Sequence, residues 1–367
     1  MIETQIAIVG GGLAGLHAAR LLQKAGVAFE LLEARERLGG RILTTDETGL
    51  LSEDGFDLGP SWFWPQMQPK IGTLIAELGL PVFAQHSNGD VLFERMPRES
   101  LQRYRGPGTG QQSMRLAGGT ASLVRALAND LPTARIHLGA PVTAMAHAKN
   151  GIELAVSGTG FIRAQHIIAA LPPRLLEAQI VYTPTLEPET IRRWQACETW
   201  MAPHAKFFAI YDRPFWREND LSGTAQSMVG PMAEIHDATT ASGRPALFGF
   251  IGIPAAQRAA MGDAALTKVC MTQFVRLFGP DATAPRATLL KDWATDPLTA
   301  TASDQNAGAH IMPSSKPWIS RTWAKRLILA GSETSLSEPG YLAGAISAAE
   351  RAVGEVLVQL GNGGRHG

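Results

Sequence analysis

A glycine-rich turn near the N-terminus separates an apolar run from a helical pattern. Its glycines, Gly10, Gly12 and Gly15, have the GxGxxG spacing, and Glu33 follows at the end of a second apolar run. The first two glycines let the backbone approach a pyrophosphate, the third lets a helix pack closely on a sheet, and the acid accepts ribose hydroxyls. The spacing therefore predicts a dinucleotide site, the alternative being a glycine-rich turn with no ligand.

A single lysine interrupts an apolar run in the middle of the chain. Lys206 stands in the segment HAKFFAIY, residues 204–211, and the neighbouring His204 is expected to be packed. Burying an ammonium group is costly unless the group is paired or neutral. Lys206 therefore indicates either the exposed edge of a strand or a functional role.

Charge and cysteine content exclude several classes of protein. The 367 residues include 33 basic and 33 acidic side chains, so no net field recruits nucleic acid or an anionic membrane. Cys197 and Cys270 form neither a CxxC motif nor a metal-ligand spacing, which favours a reduced, cytoplasmic setting without a bound metal. We also expect neither a signal peptide nor a membrane span.

Hydrophobic periodicity predicts a parallel sheet at the start of the chain and an antiparallel sheet later, with irregular structure over 81–115. Thr120 is expected to cap a helix. The predicted strands are 5–9, 29–33, 134–138, 152–156, 162–170, 206–211, 227–235, 246–253, 287–293 and 327–330, and the predicted helices are 16–25, 71–80, 120–131, 266–278 and 342–360. The strand, Gly331 and the helix at the C-terminal end repeat the opening pattern, so both chain ends should reach one nucleotide.

Further segments separate flavin from nicotinamide cofactors, which the opening motif cannot do. These segments are 33–41, 55–62, 116–120, 329–334 and 340–345. In this order they resemble the flavin-containing amine oxidoreductases, the monoamine-oxidase-like family, in a short bacterial-type form. The resemblance covers almost the whole chain. It implies FAD as cofactor and the two-electron oxidation of a carbon–nitrogen bond.

The fold class that the resemblance implies is α/β with an α+β substrate part. A Rossmann-like FAD-binding domain of the para-hydroxybenzoate-hydroxylase-like type would comprise residues 1–60, 115–180 and 296–367. An interleaved substrate-binding domain, built on an antiparallel sheet, would comprise residues 61–114 and 181–295.

The resemblance also implies a set of cofactor-binding residues. Arg41 would lie near the pyrophosphate, Arg35 would line the adenosine side, Val142 would meet adenine through its backbone, and Glu333 would accept a ribityl hydroxyl. For the two arginines, the alternative is ordinary placement at the surface. For Glu333, the alternative is a capping role at the end of a strand. The complete set is Gly10, Gly12, Leu13, Ala14, Gly15, Glu33, Ala34, Arg35, Gly39, Gly40, Arg41, Gly59, Pro60, Ser61, Trp62, Val142, Gly331, Glu333, Gly340, Tyr341 and Leu342.

Three residues take catalytic roles by resemblance. Lys206 would reach the flavin N5 through a water molecule and assist reoxidation by dioxygen. Trp293 would pack near the flavin, with plain core packing as the alternative. Tyr341 would form one wall of an aromatic cage that guides the amine, because an electron-rich ring face suits a group that approaches as a cation.

The chain departs from the family pattern at three points. No aromatic residue occupies 299–304, so the second cage wall must come from elsewhere, for example Trp62, Trp64 or Trp318. The same segment and 335–339 lack cysteine, so FAD should be bound non-covalently. The segment 81–115 is too short for the helical part of the substrate domain that longer relatives insert. A bulkier substrate, or a second subunit in a homo-oligomer, could fill that gap.

The expected function is FAD-dependent oxidation of a small-molecule amine to an imine, by hydride transfer to flavin N5. Dioxygen or another acceptor would reoxidise the flavin, and the sequence does not decide between these acceptors. Two alternatives remain: an FAD-dependent desaturase or carbon–carbon dehydrogenase on the same scaffold, and a non-catalytic flavin-binding protein. Retention of Lys206 argues against the second.

Overall fold

The computed structural model describes residues 1–106, 112–305 and 310–363. Most of the strands in this part of the chain belong to two large sheets. In chain order the strands are β1 (Ile2–Val9), β2 (Phe29–Leu32), β3 (Thr44–Thr45), β4 (Phe56–Asp57), β5 (Val82–Ala84), β6 (Asp90–Glu94), β7 (Gln102–Arg105), β8 (Met114–Leu116), β9 (Ile136–His137), β10 (Val142–Ala148), β11 (Gly151–Val156), β12 (Gly160–Ala169), β13 (Val181–Thr183), β14 (Ala205–Ile210), β15 (Leu221–Ser227), β16 (Met232–Asp237), β17 (Ala246–Ile251), β18 (Ala287–Asp292) and β19 (Leu327–Leu329).

Helices cover both sheets. They are α1 (Leu13–Lys24), α2 (Pro69–Glu77), α3 (Ala121–Asn129), α4 (Pro173–Gln179), α5 (Pro188–Gln195), α6 (Phe215–Glu218), α7 (Ala255–Met261), α8 (Asp263–Phe278) and α9 (Leu342–Gly363). Across the described ranges, none of these helices has the length and apolar character that a membrane span requires.

The first sheet has the strand order β13-β10-β11-β12-β1-β2-β9, and β19 also pairs with β12. Strands β12, β1, β2, β9 and β19 run parallel, whereas β10, β11 and β12 pair antiparallel. Both faces of β1 are covered: Ile6 and Ile8 pack in the core that contains α1 and α9, and Ala7 and Val9 pack in the core on the other face. Burial on both sides explains the unbroken apolar run that begins the chain.

The two chain ends meet on this sheet. Strands β1 and β19 both lie parallel to β12, so their carboxyl ends reach the same edge. Helix α1 follows β1 there, and α9 comes soon after β19 and packs against α1. Helix N-termini from opposite ends of the chain are thus brought to one side of the sheet, as the repeated strand, glycine and helix pattern predicts. The exact domain boundaries stay a prediction.

The second sheet has the order β18-β14-β17-β16-β15-β6-β7 and is antiparallel except where β15 pairs with β6. Every residue of β14 is buried. Phe207 faces Phe274 of α8 in one core, while Phe208 faces Phe56 and Phe248 in another. Because side chains alternate along a strand, Lys206 shares the inner face with Phe208. The exposed-edge alternative for this lysine is therefore wrong.

Three local predictions are corrected by the structure. The predicted strand 227–235 is a hairpin in which β15 ends at Ser227 and β16 begins at Met232. The segment 81–115, expected to be irregular, contains β5, β6, β7 and β8 within its described residues. Thr120 does not cap α3: it has helical backbone angles, and its hydroxyl lies within hydrogen-bond distance of both Asp57 and the carbonyl of Pro60.

Candidate active site

A cavity of about 380 Å³ is lined by residues of both sheets and of the loops that follow their strands. It brings together most of the residues that the sequence predicted. The predicted residues on its wall are Gly10, Gly12, Leu13, Ala14, Glu33, Ala34, Arg35, Gly39, Gly40, Arg41, Gly59, Pro60, Ser61, Trp62, Val142, Lys206, Trp293, Gly340, Tyr341 and Leu342. Residues far apart in sequence thus share one space.

Gly15, Gly331 and Glu333 do not line the cavity, and they are the exceptions to the predicted set. A Cβ atom on Gly15 would lie 1.8 Å from the carbonyl oxygen of Gly10, so this glycine allows α1 to pack against the turn that precedes it. A Cβ atom on Gly331 would lie 2.4 Å from the carbonyl oxygen of Leu171. Close backbone approach explains both glycines without a ligand.

The nucleotide end of the cavity is the N-terminus of α1. Gly10 has a φ of 108°, which favours glycine, and Gly12 precedes α1 without a side chain that caps the helix. A Cβ on Gly12 would meet only the carbonyl oxygen of Gly39, at 3.9 Å, so the space in front of it is open to the cavity. Free N–H groups at a helix N-terminus attract negative charge. These residues fit a pyrophosphate.

Glu33 lies beside this helix end and is almost fully buried. One carboxylate oxygen accepts from the backbone N–H of Gly11 at 2.7 Å, and the other accepts from the N–H of Arg35 at 2.8 Å. Each oxygen keeps a further lone pair, so the carboxylate can still accept hydroxyl groups from the cavity. The backbone therefore orients Glu33 for the predicted ribose contact.

The diglycine loop is supported by an arginine that sequence reasoning missed. The guanidinium of Arg37 donates to the carbonyls of Leu38, Gly40 and Ile42 at 2.9 to 3.1 Å. Its burial lowers the pKa of this guanidinium, and the charge of Arg35 lowers it further. Arg37 thus holds the loop from inside. The available signal was an arginine two residues before a diglycine.

Arg41 lines the cavity and joins it to the buried Glu333. Its guanidinium lies 2.7 Å from Glu333 Oε1, off the direction of a good hydrogen bond, and donates to Ser332 Oγ at 3.1 Å and to the carbonyl of Trp200 at 3.0 Å. Glu333 therefore contacts Arg41 and Ser332 from behind the wall, and its contact with a ribityl hydroxyl stays a prediction.

Arg35 lines the cavity and also binds a distant part of the chain. Its guanidinium donates to Asp296 at 2.8 Å and to Thr299 at 2.9 Å, and it reaches the carbonyl of Leu298 at 3.4 Å. Burial raises the pKa of the Asp296 carboxyl, but the charge and hydrogen bond of Arg35, together with Lys291 and the N–H of Leu298, outweigh burial and the pKa is lowered. Because Leu298 and Thr299 line the cavity, Arg35 ties this segment to the nucleotide end.

Lys206 is fully surrounded by protein. Its Nζ donates to the carbonyls of Asp57 at 3.1 Å and Gly59 at 2.5 Å, and to Ser61 Oγ at 2.9 Å. It also lies 4.7 Å from the ring centre of Phe248. Burial lowers its pKa to about 7, the charge of Asp57 opposes this shift, and the charge of Arg115 adds to it. Both protonation states of Lys206 are thus accessible near neutral pH.

Rings surround Tyr341 at the other end of the cavity. Trp64 lies edge-on to Tyr341 with ring centres 6.4 Å apart, and His310 lies 4.9 Å from Tyr341 on one side and 4.5 Å from Trp200 on the other. Trp62 lines the cavity further along, beside Phe250. Trp318 packs under Arg193 in the core of the first sheet, so it is not a cavity wall.

His204 also lines the cavity, which corrects the expectation that it is packed away. Its Nδ1 is buried without a hydrogen-bond partner. Burial lowers the pKa of this imidazole, and the charge of Arg258 lowers it further. Both effects favour the neutral form of His204. Trp64, which was named as a possible second cage wall, does line the cavity, whereas Gln68 and Trp200 are wall residues that the sequence did not identify because neither has a diagnostic spacing.

Protein-family models match two parts of the chain. The model described as flavin containing amine oxidoreductase matches residues 101–357, and a model of NAD(P)-binding Rossmann-like domains matches residues 8–78. The chain is 23% identical to "Probable flavin-containing monoamine oxidase A" of Dictyostelium discoideum, covering 97% of this chain and 98% of that protein. It is 24% identical to the human "Amine oxidase [flavin-containing] B", covering 98% and 87%.

A third relative is named for a different activity. An L-amino acid dehydrogenase of Synechocystis is 27% identical over 68% of this chain and 52% of that protein. Among solved structures, putrescine oxidase bound to putrescine has a TM-score of 0.79 at 20% identity, covering 97% of this chain and 99% of that one. Cyclohexylamine oxidase from Brevibacterium oxydans has a TM-score of 0.79 at 19% identity, covering 98% and 99%. At these identities the structural likeness concerns the fold.

Proposed function

The chain belongs to the flavin-containing amine oxidoreductases, and we propose that it oxidises the carbon–nitrogen bond of a small-molecule amine with non-covalently bound FAD. The family and the α/β fold with a Rossmann-like part, both predicted from the sequence, are confirmed. The proposal concerns the substrate, the mode of flavin binding and the roles of individual residues.

One observation carries the proposal: a single cavity joins a nucleotide-binding turn to an aromatic end. The uncapped N-terminus of α1 and the oriented carboxylate of Glu33 would hold the adenosine diphosphate half of FAD. Arg41 would face its pyrophosphate, where a guanidinium can neutralise charge. Lys206, Trp293 and Tyr341 would then lie along the flavin half.

Non-covalent binding is supported by the state of both cysteines. Neither Cys197 nor Cys270 lines the cavity, and burial raises the pKa of each thiol to about 12. A thiolate is the form that reacts, so neither residue is suited to form a thioether with the flavin. The chain has only these two cysteines.

The flavin would supply the redox chemistry: it would accept a hydride equivalent from the amine α-carbon at N5 and pass electrons to dioxygen or another acceptor. The protein would orient the amine beside the edge-to-face rings of Tyr341 and Trp64 and exclude water from the reacting carbon. Lys206 would hold a proton at Nζ beside the segment 57–61. The imine product would hydrolyse after release.

The test of this proposal is direct. Purified protein should have the absorbance of oxidised flavin, and an amine added without oxygen should bleach it. Admission of air should restore the absorbance and produce peroxide if dioxygen is the acceptor. If no amine bleaches the flavin-loaded protein, but the protein converts a saturated carbon–carbon bond to an unsaturated one, the desaturase alternative is favoured.

A further inference from the structure

The loop of residues 294–305 leads from the end of the second sheet to the nucleotide end of the cavity. Its two ends are joined, because the side-chain amide of Gln305 donates to the carbonyl of Ala294 at 2.6 Å. Leu298 and Thr299, in the middle of the loop, line the cavity. Compact surface loops with closed ends are often functional. Two wall residues of the cavity therefore depend on the path of this loop.

A buried ion pair holds the first part of the 294–305 loop. The carboxylate of Asp296 accepts from the guanidinium of Arg35 at 2.8 Å and from the backbone N–H of Leu298 at 3.0 Å, and both charged side chains are largely buried. The backbone N–H of Arg35 in turn donates to the carboxylate of Glu33. The loop thus lies beside the carboxylate that is predicted to bind a ribose.

A second buried ion pair holds the end of the loop. The carboxylate of Asp304, which is almost fully buried, accepts from Arg174 of α4 at 2.6 Å and from the backbone N–H groups of Thr301 at 2.9 Å and Thr199 at 3.3 Å. Removal of one partner from a buried ion pair leaves an uncompensated charge, which is strongly destabilising. The two pairs therefore tie the loop to the residues that follow β2 and to α4.

The middle of the loop lies beside α4 and the start of β10. The side-chain amide of Gln179, at the end of α4, donates to the carbonyl of Pro297 at 2.6 Å. Strand β13 follows α4 and pairs with β10. The apolar side chains that line the cavity in this region are Val142, Leu175, Ile180 and Leu298. A mostly apolar slot of this kind, beside Glu33, fits the planar base of a nucleotide.

Thr299 adds a polar group to this apolar region. Its side chain is buried, and its Oγ1 accepts from the guanidinium of Arg35 at 2.9 Å. A hydroxyl group accepts with its lone pairs and donates with its one hydrogen. Because a guanidinium only donates, the bond to Arg35 does not use the hydroxyl hydrogen. Thr299 can therefore donate that hydrogen to an oxygen or nitrogen atom of a ligand in the cavity.

We propose, resting on the FAD-dependent function proposed above, that the 294–305 loop forms one wall of the adenosine site. Leu298 packs against the adenosine, and Thr299 donates a hydrogen bond to it. Arg35 and Asp296 are positioning residues, because their ion pair holds the loop in place. Arg35 thus acts on the cofactor through the loop as well as lining the cavity.

Adenosine diphosphate tests this contact separately from the flavin, because it contains the adenosine half of FAD and no flavin. Calorimetry on the flavin-free full chain measures the Kd of each ligand. We expect Thr299→Val to weaken the binding of both by about 5-fold, the effect of one lost hydrogen bond. The control Thr295→Val loses a hydrogen bond to the carbonyl of Asp292 at an exposed loop position outside the cavity, and it should leave both Kd values unchanged.

Three results would overturn the inference: unchanged Kd values in Thr299→Val, weaker binding of FAD alone, or a wild-type protein that binds FAD but not adenosine diphosphate. A wild-type protein that binds neither ligand would instead contradict the FAD site of the proposed function. Amine oxidation does not enter either measurement, so failure of the substrate proposal leaves this test intact.

Exchange of Asp296 tests how the loop is positioned. Asp296→Asn keeps the size of the side chain and removes the negative partner of Arg35, so we expect FAD to dissociate from the flavin-loaded protein about 10-fold faster. The rise of flavin fluorescence after dilution measures that rate. Arg35→Gln should have a similar effect, and the double variant should not exceed either single variant, because both changes remove one contact. Additive effects would overturn the positioning role. The comparison of Thr299→Val with Thr295→Val does not depend on these variants.

Discussion

Lys206 and Trp293 bind three consecutive carbonyl groups of one segment. Lys206 Nζ donates to the carbonyls of Asp57 and Gly59, and Trp293 Nε1 donates to the carbonyl of Leu58 between them, at 2.9 Å. The two donors come from neighbouring parts of the second sheet, β14 and the residue after β18. Because Gly59 and Ser61 line the cavity, these two side chains position a stretch of its wall.

Substitution of Lys206 should slow flavin reoxidation. We expect Lys206→Met to retain FAD and to be reduced by a good amine at a similar rate, while reoxidation by dioxygen slows by about 10-fold or more, because a positioned cation stabilises developing negative charge. Stopped-flow absorbance separates the two half-reactions. Lys291, which lies opposite Lys206 in the β14–β18 pair and is outside the cavity, supplies the matched control Lys291→Met. Equal reoxidation in wild type and Lys206→Met would remove the lysine from this role.

The buried lysine should also make stability depend on pH. Its pKa is lowered from the ordinary value of 10.5 to about 7 by burial, so between these values the unfolded chain binds more protons than the folded protein. The free energy of unfolding should therefore rise with pH over this window. Chemical denaturation of flavin-free wild type and Lys206→Met at several pH values measures the difference. A difference that does not grow with pH would show that Lys206 is not buried as described.

Two glycines of the opening motif should respond differently to substitution. A side chain at Gly12 projects into open space beside Gly39, so Gly12→Val should keep the melting temperature of the flavin-free protein and lose FAD. A side chain at Gly15 collides with the carbonyl of Gly10, so Gly15→Val should lower the melting temperature itself. Flavin absorbance and thermal unfolding distinguish the two effects. FAD retained at wild-type affinity by Gly12→Val would place the nucleotide elsewhere.

Denaturation should release the flavin completely. Because both thiols are buried outside the cavity with a raised pKa, no covalent link to cysteine is expected. After acid precipitation, the yellow colour should be found entirely in the supernatant, with the absorbance of free FAD. Colour retained in the washed pellet would contradict non-covalent binding. Mass spectrometry of the intact chain provides an independent check.

Element prediction succeeded where burial imposes a clear pattern and was wrong where it does not. Strand β1 and helix α1 were predicted because apolar side chains cover their buried faces. Strand β7 was missed because all four of its residues are exposed at a sheet edge, so its sequence QRYR has no apolar periodicity. The hairpin between β15 and β16 was read as one strand although Gly230 and Pro231 mark its turn.

The nucleotide-binding turn, the family and the unusual character of Lys206 could be predicted from residue types and their spacing. Turn geometry depends on residues a few positions apart, so the spacing of Gly10 and Gly12 predicts the turn, and the helix and strand that follow bring Glu33 back beside it. Only the packing of the folded chain shows that Lys206 binds a segment 149 residues away and that Trp64 lies edge-on to Tyr341. Those contacts depend on how two sheets pack together, and no local spacing in the chain records which side chains meet across that interface.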